Sequence, residues 1–353
     1  MKQSYRIFRF SGISVELHLT FILFFLLLLS WGIYQFVFFG VIFTLVLVHE
    51  LTHSMVAKRN GIQVPMIVLT PLGGLANIEL PENPKLEFRI SLAGPVSNFA
   101  FGIFCIALLL LTNSTLISYA DLYSVMEINV SYVLSVMIWI NFTLGLFNML
   151  PAFPMDGGRI FRSMLASRMD YLRATKIAIR TGQLLFGCII LLGLLFGDLW
   201  WIMIGAFLLW AGGTEFQLVW MRYALRDLKV MHIARRDLEH VNADITVKEF
   251  LELIAKPGQV FYPISSDGMI VGVLNLNDLK GLKNRDFDKT TVKKFARGFA
   301  VVNGNLRVED VITRLMSGGF LIVTDGNRLV GYLTPEHLFE TARLYGIKRA
   351  VSD

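Results

Sequence analysis

The sequence predicts a polytopic α-helical membrane domain followed by a soluble α/β module. Three observations lead there. Of 353 residues, 54% are hydrophobic and only 17% charged, too few ionic side chains to clothe an ordinary soluble protein. The apolar residues are also concentrated, because residues 1–225 hold nearly all the long uncharged runs. Residues 228–353, by contrast, alternate charged and apolar positions as soluble domains do.

A membrane-spanning helix needs roughly 20 mainly apolar residues. Six segments approach that: 17–36, 37–57, 90–112, 129–150, 181–197 (the shortest) and 199–221. The first is too long for a signal peptide and lacks a small-residue cleavage site, so a retained anchor is expected. Lys and Arg stay on the cytoplasmic side of a membrane. Here Lys2, Arg6 and Arg9 precede the first span. Lys58, Arg59, Lys85 and Arg89 lie between the second and third, and Arg159, Arg162, Arg168, Arg173, Lys176 and Arg180 between the fourth and fifth. The other connections carry none. The expectation is a multi-pass protein of the cell membrane, in contact with the lipid bilayer, with both termini cytoplasmic.

Between the second and third spans, Ile62–Leu69 and Leu75–Leu80 read as strands on either side of Pro71, Gly73 and Gly74. They make a short β-hairpin, either a surface loop or one dipping into the protein. Non-helical backbone at membrane depth is tolerated only where protein buries it or it lines a wet cavity. The net charge of +6 is spread over both halves without a basic stripe, so no nucleic-acid partner is expected. Cys105 and Cys188 lie inside apolar runs and read as packing residues.

Chemistry enters on the second span, where His49, Glu50, Leu51, Thr52 and His53 form an HExxH pattern. Residues four apart share a helix face, so both imidazoles can reach one ion, with Glu50 beside it as general base toward a water. That is the zinc hydrolase arrangement. Ionisable groups inside a span are expensive and normally face partners or a cavity; buried histidines satisfied by a carboxylate are the structural alternative. A catalytic zinc takes three protein ligands, and the third comes from His18 or Asp156. Pro151 and Pro154 end the fourth span and Gly157 and Gly158 permit a sharp turn, which puts Asp156 at the cytoplasmic margin beside the two histidines. Asp156 can also serve as a helix N-cap, and His18 as a helix-end hydrogen-bonding residue. Asn148, eight residues before Asp156, is a candidate oxyanion donor or substrate contact; an Asn joining helices is the alternative.

Together, His49–His53 and the NxxPxxPxDG run Asn148–Gly157 resemble the site-2 protease family of intramembrane metalloproteases. The resemblance extends over residues 5 to 225, taking in Gly73, Gly74 and the run Ala93–Asn98. It implies that His49, His53 and Asp156 ligate one zinc ion, that Glu50 is catalytic, and that a membrane-spanning protein substrate is cut within or near the bilayer. Gly73 and Gly74 are candidate substrate contacts. An extended substrate pairing with the hairpin edge is the expected mode.

The soluble region repeats an order of elements: strand, helix, strand pair, closing helix. The helices are expected at Val247–Ile254 and Val308–Met316 and the strand pairs at Val260–Ile264 with Met269–Leu274, and Phe320–Thr324 with Leu329–Leu333. The repeat resembles tandem CBS domains, at 228–285 and 290–347, after a metalloprotease domain at 1–225. That resemblance implies a homodimer through the repeats and adenine nucleotide as a ligand. The nucleotide-binding turn pairs Ser or Thr with an Asp three residues on. Here Asn275 stands with Asp278 and Thr334 with His337, so Asp278 and Thr334 each keep half of it, and purely structural or substrate-docking repeats stay open. Two further readings are a membrane transporter gated by these modules and a catalytically inactive relative that binds substrates. The ionisable residues converge on one point instead of recurring along several spans, and the motif residues are intact, so a protease is preferred.

Overall fold

In the computed structural model, residues 4–71, 73–76, 82–123, 128–236, 240–256, 259–282, 286–326 and 328–352 are described. They form two units, Met1–Gln217 and Leu218–Asp353.

The first unit opens with strands β1 (Ser4–Phe10) and β2 (Ile13–His18), then helices α1 (Leu19–Trp31) and α2 (Ile33–Arg59). Strands β3 (Met66–Thr70) and β4 (Gly73–Ala76) precede α3 (Pro84–Leu111), α4 (Val130–Asn148), α5 (Asp156–Ala166), α6 (Tyr171–Phe196) and α7 (Leu199–Ala224), whose last turns belong to the second unit. Local signals set the boundaries. Asn83 caps α3, its side chain accepting from the Leu86 amide at 3.3 Å, with Pro84 in the first turn. Asn129 caps α4 in the same way, and Asp170 caps α6. At the end of α2 the chain turns through Asn60 and Gly61, whose φ of 83° suits glycine.

The helices α2, α3, α4, α6 and α7 are long and apolar enough to cross a membrane. The expected first span is shorter. Leu17 and His18 finish β2, and Gly32 at φ 127° separates α1 from α2. The 13 residues of α1 rise about 20 Å at 1.5 Å per residue, against a hydrocarbon core of about 30 Å. The fifth segment errs the other way: its apolar part is the latter half of α6, a helix that begins ten residues earlier than 181 in a cationic stretch holding Arg173, Lys176 and Arg180.

The expected hairpin belongs to a larger structure. A four-stranded sheet runs in the order β1-β2-β3-β4, with β2 parallel to β3 and the other pairs antiparallel. The second expected strand is observed over Gly73–Ala76, and its continuation through 77–80 lies outside the described residues. The N-terminal hairpin turns on Ser11 and Gly12, both at positive φ (48° and 84°), as a two-residue turn of right-twisted strands requires. A bulge between Arg6 and Phe8 disturbs its alternation. Ile13 and Ile67 are fully buried against Ala57 and Ile90, so the sheet packs on α2 and α3 close to the HExxH pattern.

The second unit contains α8 (Val230–Ile233), β5 (Val241–Asn242), α9 (Val247–Leu253), β6 (Phe261–Ser266), β7 (Met269–Asn275), β8 (Ala300–Asn303), α10 (Ile312–Gly318), β9 (Leu321–Asp325), β10 (Arg328–Leu333) and α11 (Pro335–Ser352). Its sheets, β5-β6-β7 and β8-β9-β10, share one topology: the first strand is parallel to the second, and a hairpin follows. Each has its own core, one around Phe250, Tyr262 and Leu274 and one around Ile312, Leu321 and Leu338. The helix expected over Val308–Met316 is instead a single turn, Val308–Asp310, followed by α10, with Val311 at φ −114° between them. Val308, Val311, Ile312 and Thr313 are β-branched and weak helix formers.

Candidate metal centre

Four residues apart on α2, His49 and His53 are 4% and 6% exposed, and their Nε2 atoms are 3.0 Å apart. Asp156, the first residue of α5, brings Oδ2 to 3.1 Å from His49 Nε2 and 3.0 Å from His53 Nε2. No other group of three such ligand side chains comes together among the described residues.

The outer nitrogens fix the tautomers. His53 Nδ1 donates to the Ile90 carbonyl at 2.6 Å, and His49 Nδ1 donates to Asn98 Oδ1 at 3.3 Å. In the neutral rings, both Nε2 atoms then present lone pairs to the carboxylate oxygen. Three acceptors without a proton between them repel one another, and a cation at their centre resolves the conflict. Two imidazoles and one carboxylate suit zinc in number and kind, and ring N–H groups tied to a carbonyl and an amide oxygen are the usual outer support of metal-binding histidines.

Three glycines make this approach possible. A Cβ on Gly94 of α3 would lie 2.2 Å from His53 Nε2 and 2.6 Å from His49 Cε1. One on Gly157 would meet the Leu150 carbonyl oxygen at 2.2 Å, so the first turn of α5 can fold against the loop that leads into it. That loop is anchored by Ala152 and Met155, buried with Phe186 and Leu208. The third, Gly74 of β4, lies where a Cβ would be 2.5 Å from Glu50 Cγ. The Glu50 carboxylate, one residue from His49, accepts no hydrogen bond among the described residues.

His49, His53 and Asp156 are thus together, with Glu50 and Gly74 beside them, while Gly73 opens β4 opposite Thr70 at φ 128°. Asn148 is half-buried at the end of α4 and its Nδ2 donates to the Leu144 carbonyl at 3.0 Å. His18 caps α1, accepting from the Thr20 amide. In the second unit Asp278 pairs with Arg297. Thr334 accepts from the His337 amide and lines a small cleft with Arg235, Gln259, Phe261, Tyr332 and His337. The sequence placed Asn98 only within the Ala93–Asn98 run, without a role, and did not point to the Ile90 carbonyl. The signal for both was faint: Ile90, Gly94 and Asn98 recur every four residues along one face of α3.

The family model for peptidase family M50 matches residues 36–190, and that for the CBS domain matches residues 230–283. A zinc metalloprotease of Methanocaldococcus jannaschii is 29% identical over 100% of both chains. Rip3 of Mycobacterium tuberculosis is 29% identical over 86% of this chain and 78% of its own. The solved structure of the site-2 protease from Methanocaldococcus jannaschii is 35% identical, covering 60% of this chain and 95% of its own, with a TM-score of 0.46. Residues 36–190, which take in α2, the stretch of α3 that receives both imidazoles and the loop that delivers Asp156, thus form a peptidase family M50 domain, and a CBS domain follows it at 230–283.

Proposed function

We propose that this multi-pass membrane protein is an intramembrane zinc metalloendopeptidase that hydrolyses peptide bonds in membrane-spanning proteins. The observation that carries the reading is the meeting of His49 Nε2, His53 Nε2 and Asp156 Oδ2 at one point beside helices long enough to cross a bilayer. These three residues hold the ion. Zinc, when bound, supplies positive charge that polarises the scissile carbonyl and acidifies water. Glu50, adjacent and without a hydrogen bond among the described residues, accepts the proton of the attacking water and returns it to the leaving amine. Burial of the histidines keeps competing water from their ring nitrogens, and Asn98 and Ile90 hold each ring in its metal-binding tautomer. Asn148 gives one Nδ2 proton to the Leu144 carbonyl and keeps its second for an oxyanion or substrate contact.

The sheet supports a mode of substrate binding. β4 is the last strand in the order β1-β2-β3-β4 and its Gly74 touches Glu50. A substrate unwound to an extended strand and paired along β4 passes directly before Glu50, with Gly73 and Gly74 leaving room for its backbone. With α1 as a sixth span across a locally thinned bilayer and the Lys and Arg distribution already described, both termini face the cytoplasm. The three domains are 1–225, a first CBS-like repeat at 228–285 and a second at 290–347, the second supported by sheets of identical topology. The repeats offer a surface for homodimerisation, and Thr334 in its cleft is the better of the two candidate contacts for adenine nucleotide.

The test reconstitutes the purified protein in vesicles with a single-span substrate. Cleavage should stop on zinc chelation and resume when zinc returns, and it should respond to ATP only while residues 228–353 are present. Cleavage indifferent to chelation would end the zinc reading.

A further inference from the structure

Arg162 is among the largest fully buried side chains of the protein, at 2% exposed, and it lies on α5 six residues after Asp156. Its Nε donates to Glu87 Oε1 at 2.9 Å and its Nη2 donates to the same oxygen. Nη2 also donates to Glu215 Oε1 at 3.0 Å, and the Tyr171 hydroxyl donates to Glu87 Oε2 at 3.2 Å. The guanidinium carbon sits 4.8 Å from the centre of the Phe153 ring and 4.9 Å from that of Tyr171. One cation thus ties α5 to α3, α6, α7 and the loop before Asp156. Burial, the largest single influence, works against its charge, but Glu87, Tyr171 and Glu215 together outweigh it and hold the guanidinium above its ordinary pKa, so it stays a cation.

Stability alone does not account for such a residue. Taking an arginine and a glutamate out of water costs about as much as their attraction returns, and an apolar pair of similar volume often serves as well or better. What an apolar pair lacks is direction. Arginine's planar fork fixes both distance and angle to a carboxylate. The position of Glu87 gives that direction a target: it lies one helical turn before Ile90, whose carbonyl holds His53, and on the same helix as Gly94 and Asn98. The α3 side of the cluster therefore orients both imidazoles, and the α5 side delivers the carboxylate.

We propose that Arg162 is the positioning residue of the metal centre: through Glu87, Glu215 and the Phe153 ring it sets α5 against α3, so that Asp156 Oδ2 meets the two histidine nitrogens. This rests on reading His49, His53 and Asp156 as zinc ligands. Without the fork, α5 can settle by fractions of an ångström, and metal sites tolerate little of that.

The experiment measures zinc retention against a chelator, and thermal unfolding of the zinc-free form, on the full-length protein in lipid nanodiscs. Arg162→Met alone leaves Glu87 buried without a counter-charge and should lower both. The double variant Glu87→Gln with Arg162→Met removes both charges. Its melting temperature should return to near wild type while zinc affinity stays about 10- to 100-fold down, the range for losing an outer support. Arg162→Lys keeps the charge but not the fork or the stacking, and should also bind zinc at least about tenfold more weakly. Wild-type zinc retention in either the double variant or Arg162→Lys would overturn the proposal. Should the double variant fail to fold, Arg162→Lys decides alone. Asp156→Ala separates the two levels. If it releases zinc while the Arg162 variants hold it, only the positioning role falls; if it keeps zinc as wild type does, the ligand reading falls and the proposal with it.

Discussion

Replacing Gly94 by alanine adds one methyl group, and its effect can be worked from the structure. The new Cβ would lie 2.2 Å from His53 Nε2 and 2.6 Å from both His53 Cε1 and His49 Cε1. Carbon and nitrogen atoms that do not bond keep about 3.5 Å apart, so something must move by about an ångström. A histidine ring ordinarily swings aside at little cost. Here the Ile90 carbonyl and the Asn98 side chain pin both rings at Nδ1, so swinging breaks those bonds. The alternative is for α3 to back away from α2, which opens the packing around Ile90, Ile67 and Ala57. The first route displaces ligand atoms by several times the roughly 0.2 Å that a metal site tolerates, and the second draws Ile90 and Asn98 away from the rings they orient. Gly94→Ala should therefore reduce zinc affinity by at least about 100-fold. The assay is metal content by atomic emission after equilibration against graded chelator, with circular dichroism to confirm that the helices remain. A folded Gly94→Ala protein that retains one zinc per chain at wild-type affinity would refute the reasoning, because the close approach would then be dispensable.

Other outcomes follow from the same geometry. Gly74→Ala puts a Cβ 2.5 Å from Glu50 Cγ but touches no proposed ligand, so zinc content should be unchanged while kcat falls at least about tenfold; single-turnover cleavage with metal analysis checks both halves. Asn98→Ala removes the acceptor that orients His49 and should weaken zinc binding by about tenfold, read by chelator titration, with Asn98→Asp recovering part of it. In the soluble unit, Thr246 caps α9 by accepting from the Glu249 amide at 3.2 Å. Thr246→Ala should destabilise the first repeat by about 1 kcal/mol, visible in denaturant unfolding, with zinc content untouched.

Much of this architecture was legible in the sequence because its signals are local. His49, Glu50 and His53 stand in five consecutive residues of an apolar helix, and helix geometry alone places both imidazoles on one face. Asp156 was harder. Its delivery depends on a loop folded against Gly157 and Gly158 and on Ala152 and Met155 inserted beside Phe186 and Leu208, contacts between segments far apart in the chain. The N-terminal hairpin was overlooked although Ser11 and Gly12 formed a readable turn. The bulge between Arg6 and Phe8 broke the alternation, and the apolar run after Leu17 invited a longer helix. The length of α6 was hidden for a related reason: Arg173, Lys176 and Arg180 look like a loop to hydropathy, yet they extend a helix begun by Asp170. Least legible were Glu87, Arg162 and Asn98. Each reads singly as a polar residue near a span, and only tertiary packing reveals that they support the site.

The central claim is that Glu50 moves the proton while three other residues hold the metal. The most direct measurement compares wild type with Glu50→Gln, each verified to carry one zinc per chain, on a single-span substrate in vesicles. The account predicts an unchanged zinc content and cleavage reduced by at least about 100-fold, and cleavage by Glu50→Gln at the wild-type rate would contradict it.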